Sequence, residues 1–175
     1  FNVNVTTDSE VYNATPIENR ARIIATTTNY FYTGAGGVAY INIFHNTSEY
    51  YKTGWVWNRG ASSLGQTISH EAGHQVSLLH DGTTNGSTYY SGHGDWGPIM
   101  GAPFGKPYVQ WSRGDYLNAN NLGNDILRLR TVLSPALEDD AGDTQETATI
   151  LNLPAVGFMG KLTPEGITGF PGEVD

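Results

Sequence analysis

Three histidines and a glutamate stand close together in Ser69-His70-Glu71-Ala72-Gly73-His74-Gln75-Val76-Ser77-Leu78-Leu79-His80-Asp81. On a helix, residues four apart lie one turn apart, about 6 Å in rise and about 40° in angle. His70 and His74 can therefore present both imidazoles to one metal ion at the ~2.0–2.1 Å zinc–nitrogen distance. Glu71 falls about 60° round from His74, beside such an ion rather than on it. A general base must stand there to take a proton from water held by the metal. His80 is a different case. On a continued helix it would lie ~15 Å along the axis from His70, so it joins the pair only if the chain turns back after about residue 77. Three neutral histidines then leave a fourth tetrahedral position for water, the pattern of a catalytic rather than a structural zinc site. The chain holds five His among 175 residues. At that composition the full spacing arises by chance roughly once in 5,000 sequences, so the stretch is read as a site.

The elements that must hold these residues are read from periodicity. Ala61, Leu64, Ile68, Ala72, Val76 and Leu79 follow 3/4 spacing and predict a helix over 61–79, capped by Ser62 or Ser63. Its apolar stripe lies opposite the histidines, so the metal face is expected to look away from the main core. Residues 1–7 alternate apolar and polar and read as a strand. Thr15-Pro16-Ile17-Glu18 reads as a turn or short helix with Pro at its first position, and residues 20–28 as a strand. Gly34-Ala35-Gly36-Gly37 breaks the chain before a third strand over 38–44, and Trp55-Val56-Trp57 is a short fourth. Residues 81–107 have no period and form a long loop, which in a compact domain is usually functional or disordered. Tyr89, Tyr90, Trp96 and Phe104 favour an ordered one. Ile126, Leu127, Leu129 and Leu133 mark a second helix over 124–133.

Composition removes several classes. Cysteine is absent, which excludes disulfide scaffolds, cysteine-ligated metal centres and thiol catalysis. No apolar run approaches the ~20 residues that a membrane-spanning helix needs. The net charge is -8. Residues 1–136 hold nine acids and eight bases, and residues 137–175 eight acids and one base, so the balances are -1 and -7. No basic track for nucleic acid exists. Residues 1–136 are read as one domain, and 137–175 as an acidic linker with the start of a following β-rich domain. Four glycosylation sequons begin at Asn4, Asn13, Asn46 and Asn85.

The stretch 70–81 resembles the zinc motif of the metzincin metalloproteases, HExxHxxGxxH, which is followed by a turn containing methionine beneath the metal. Asp81 directly after His80 is similar to the reprolysin-like members. The resemblance implies zinc ligands at His70, His74 and His80, a base at Glu71 and a Met-turn at Met100 in Gly97-Pro98-Ile99-Met100-Gly101-Ala102-Pro103. It also implies an α+β fold, a zincin with a mixed twisted sheet, a zinc-binding helix and the Met-turn. Gly36-Gly37-Val38-Ala39-Tyr40-Ile41 looks like the edge strand on which metzincins lay an extended substrate, which makes Gly37, Val38, Ala39 and Tyr40 candidate substrate-binding residues. The family's long first helix has no counterpart after Phe1, so the chain is expected to begin inside the catalytic domain. A signal segment is expected to belong to the precursor.

Two departures bear on the site. Ser77 replaces the usual Gly at the turn, where a left-handed backbone costs a non-Gly residue ~1–2 kcal/mol. Ala102 stands where some members place a tyrosine ligand, so no fifth ligand is expected there; nearby Tyr108 is read as packing. Trp111 is read as a loop anchor, and His45 and His93 as ordinary histidines outside the site. The function implied is a secreted or cell-surface zinc-dependent endopeptidase acting on polypeptide, with one catalytic Zn2+, calcium left open, and further domains of the same precursor as partners. The alternative is a catalytically weak zincin-like module that binds polypeptide or serves a structural role in a larger secreted protein.

Overall fold

The computed structural model describes residues 4–29, 32–57 and 60–133. It is mixed α/β, with a small mixed sheet and few helices. The first helix, α1 (Ser9–Ala14), is capped by the Asp8 carboxylate, which accepts from the Glu10 amide. The sequence reading missed this helix, because Thr15-Pro16 drew the start signal six residues late. Thr15 in fact ends α1, and Pro16 leads into a single 3-10 turn, Ile17–Asn19. Residues 4–7, expected as part of a strand, are exposed and belong to no strand.

Strand β1 (Arg22–Thr26) runs parallel to β3 (Thr53–Trp57), with Ile24 opposite Trp55. Both are rich in β-branched or aromatic residues, which suit a half-buried pleated surface. Strand β2 (Gly37–Val38) pairs antiparallel with the other side of β3, so the order is β1-β3-β2 and β2 is the edge. The expected strand over 38–44 is therefore two residues long. Beyond Val38 the chain leaves the sheet for another set of acceptors. The amide of Asn42 donates to the His74 carbonyl, and those of Ile43 and Phe44 to the Gln75 carbonyl. The Gln75 carbonyl is an orphan of the main helix's last turn, and the His74 carbonyl, which also accepts from the Ser77 amide, takes a second donor here. Lys52, wholly buried, fixes the segment by donating to the Ile43 and Phe44 carbonyls.

The main helix, α2 (Ala61–Gln75), ends four residues before the expected boundary, and Leu79 is 56% exposed outside it. Gly60 precedes it and no side chain caps its first turn, so the expected serine cap is not used. Its buried residues are Thr67, Glu71, Gly73, His74 and Gln75. The face that carries the chemistry is thus the packed one, not the one turned away from the core. Polar groups tolerate this burial because they are bonded: the Gln75 amide donates to the Arg22 and Lys52 carbonyls and ties α2 to the starts of β1 and β3.

Strands β4 (Trp96–Pro98) and β5 (Tyr108–Gln110) make a second, two-stranded parallel pair inside the stretch read as irregular. Helix α3 (Asp125–Leu133) matches its expected span within one residue, with Asn124 accepting from the Leu127 amide at its start. Val76, Leu78, Met100, Leu129 and Val132 form the core between the end of α2 and α3. All described residues fall in the unit Phe1–Pro135. The acidic linker and β-rich start expected over 137–175 lie outside the described residues. No helix among the described residues is long and apolar enough to cross a membrane.

Candidate metal centre

His70 and His74 share one face of α2 because they are four residues apart, and their ring centroids are 4.8 Å apart. His80 reaches them because the helix stops. The Ser77 amide donates to the His74 carbonyl and the Leu78 amide to the Gly73 carbonyl, the paired bonds of a Schellman turn. Ser77 takes the left-handed backbone, φ 82°, that this turn requires. Its hydroxyl accepts from the Arg128 guanidinium at 2.5 Å. The reversal brings the His80 ring to 4.7 Å from His74 and 5.2 Å from His70. Potential ligand atoms of the three residues all lie within 4.8 Å of one another, close enough to hold one metal ion.

Backbone carbonyls fix the tautomers. His70 Nδ1 donates to the Ile99 carbonyl at 2.8 Å and His74 Nδ1 to the Leu78 carbonyl at 2.9 Å. A carbonyl only accepts, so the proton of each neutral ring sits on Nδ1 and the lone pair on Nε2. Burial, helped by the neighbouring histidines, pulls the pKa of His70 and of His80 down to about 4, and burial lowers that of His74. Each shift favours the neutral ring, the form in which an imidazole can bind a metal. His74 Nε2 and His80 Nε2 are 3.0 Å apart. Nitrogens on one tetrahedral zinc lie about 3.4 Å apart, so the set fits that ion with small adjustment.

Glu71 is 5% exposed, and burial pushes its carboxyl up to about 7. It lies against Gly37 of the edge strand: a Cβ there would meet Glu71 Oε1 at 2.7 Å. Gly37 is thus required by close approach of the carboxylate. His70, Glu71 and Gly37 line a cleft of about 360 Å3 together with Ile99 and residues 101–104.

Met100 is fully buried beneath α2, where a Cβ on Gly73 would meet its Sδ at 2.5 Å. Its segment holds the histidines in place: Ile99 accepts from His70, and the Met100 carbonyl accepts from the Asp81 amide beside His80. The edge-strand candidates separate. Gly37 lines the cleft and Val38 ends the strand, while Tyr40 packs on Tyr50 and Tyr51 away from the cleft-lining residues. Ala39 faces Gly54. Trp111 packs on the core and against Gly73, and Tyr108 is 64% exposed on β5. His45 faces the Glu18 and Val132 carbonyls, and His93 the Tyr90 hydroxyl, both apart from the triad.

The sequence reading named Asp81 and Tyr89 but gave neither a role at the site. Asp81 is wholly buried, and burial with the nearby Asp125 charge pushes its carboxyl up to about 7. Tyr89 lies in the cleft with its ring 4.4 Å from His80. Asp81 was marked by its place directly after His80, and Tyr89 only by the aromatic content of its loop. The chain matches no protein-family model, no curated protein and no solved structure.

Proposed function

We propose that this chain is the catalytic domain of a secreted zinc-dependent endopeptidase with a metzincin-like fold. One observation carries the reading: three imidazoles, one of them lining a cleft, converge beside a buried carboxylate that lines the same cleft and is not one of them. Three nitrogens suit zinc among other first-row metals, and a cluster that holds no fourth ligand among the described residues favours a catalytic rather than a structural ion. Zinc, when bound, would acidify a water and polarise the scissile carbonyl.

The chain's own residues do the rest. His70, His74 and His80 hold the ion, and the Ile99 and Leu78 carbonyls keep the first two rings turned towards it. Glu71 takes a proton from the attacking water and returns it to the leaving amine. The edge strand β2, paired on one side only among the described residues, offers its other side to an extended polypeptide. Met100 serves as the Met-turn beneath the ligands.

The test pairs elemental analysis with casein hydrolysis, with and without chelator. The wild type is expected to carry one zinc and to lose hydrolysis with it. Glu71→Gln is expected to keep the zinc and lose at least ~100-fold in turnover. Wild-type turnover in that variant would place the base elsewhere.

A further inference from the structure

Tyr89 stands in the loop between His80 and Met100. Its ring lies 4.4 Å from that of His80 and 6.1 Å from that of His70. It lines the same cleft as His70 and Glu71 and is 45% exposed. Its hydroxyl makes no hydrogen bond among the described residues.

Addition of water to a peptide carbonyl forms a carbon–oxygen bond and moves the C=O electron pair onto the carbonyl oxygen. The water's proton goes to Glu71. The growing negative charge on oxygen calls for a donor that is in place beforehand. Thr67, another hydroxyl of the cleft, is already committed to the Ser63 carbonyl. Tyr89 is uncommitted and lies against two of the three imidazoles.

We propose that Tyr89 is a further catalytic residue of this site, its hydroxyl donating a hydrogen bond to the carbonyl oxygen under attack while keeping its own proton. This rests on the metallopeptidase reading above. The competing role is packing alone, in which the ring merely steadies His80.

Tyr89→Phe separates the two, because it keeps the ring and removes the donor. In the zinc-loaded full chain we would measure zinc stoichiometry, kcat and KM for a peptide substrate. We would also measure the Kd of a phosphinic peptide, whose tetrahedral anion imitates the charged oxygen. The variant is expected to keep its zinc and its KM, to lose about 100-fold in kcat, and to bind the phosphinic peptide about 100-fold more weakly. Tyr89→Ala should match the Phe variant in kcat. A Phe variant that cleaves and binds the phosphinic peptide like the wild type, with zinc lost only in the Ala variant, would leave Tyr89 a packing residue and overturn the proposal. A zinc-loaded wild type that neither cleaves nor binds the phosphinic peptide would overturn the peptidase reading, and this proposal with it.

Discussion

Gly65 and Gly73 lie in the same helix and make opposite demands. A Cβ on Gly65 meets nothing within 4 Å, whereas on Gly73 it meets Met100 Sδ at 2.5 Å, Trp111 at 3.2 Å and Leu78 at 3.4 Å. Alanine gains ~1 kcal/mol over glycine inside a helix. Gly65→Ala should therefore raise stability by about that much. At Gly73 the methyl must displace a methionine enclosed in the core, and overpacking costs ~1–3 kcal/mol. Gly73→Ala should melt lower than the wild type and bind zinc more weakly, since the displaced segment carries the Ile99 carbonyl that orients His70. Equal denaturation midpoints for the two variants would contradict this. Asp125 gives a second test. It is 2% exposed and accepts from the Ser112 amide, yet burial pushes its carboxyl up to about 6 from an ordinary 3.8, outweighing the favourable helix N-terminus. Its folded pKa lies above the unfolded one, so the folded state binds the proton more tightly. Its contribution to stability then falls as pH rises from about 4 to about 6, and the penalty is complete above that. Asp125→Asn keeps an acceptor and removes the charge. It should melt above the wild type at pH 7.5, with the advantage vanishing near pH 4; a gap independent of pH would refute the argument.

At the scale of elements, the turn after α2 decides whether a third imidazole arrives. Ser77 holds φ 82°, which costs a side chain but not glycine. Ser77→Gly and Ser77→Ala both lose the bond from Arg128. Only glycine relieves the backbone. Ser77→Gly should exceed Ser77→Ala in stability by about 1 kcal/mol, with zinc retained, and equal melting curves would show the turn to be unstrained. The turn was legible because the identity of His80 demanded it: spacing alone put that residue too far along a straight helix. His70, Glu71 and His74 were legible for the converse reason, since helical geometry alone places them. Strand β2 was misread because local β propensity over residues 38–44 says nothing of carbonyls left open at the end of a helix thirty residues on. The buried face of α2 was misread because the apolar stripe outvoted Gln75 and Glu71, whose burial rests on distant partners. Tyr89 was not legible, because nothing near it in the chain shows that its loop folds back over His80.

The site belongs to the whole described unit rather than to α2 alone. Two of the three imidazoles come from the helix and one from the turn; Ile99 in the segment after β4 orients His70, and Gly37 of the edge strand gives Glu71 its room. Those contributions come from separate stretches of the chain, so an unfolded chain cannot assemble them. A metal that binds only the folded state stabilises it by an amount that grows with the logarithm of free metal, about 4 kcal/mol at 1,000 times the Kd. Zinc should therefore raise the melting temperature continuously as free zinc is buffered upward, and chelation should lower it. His74→Ala should abolish the dependence, because it removes the ligand that faces both other rings. Gly65→Ala, remote from the ligands, should shift the whole curve upward without changing its slope against log free zinc. Scanning calorimetry across a series of zinc buffers checks all three. A melting temperature indifferent to zinc in the wild type would mean that the three imidazoles are not a metal site in solution.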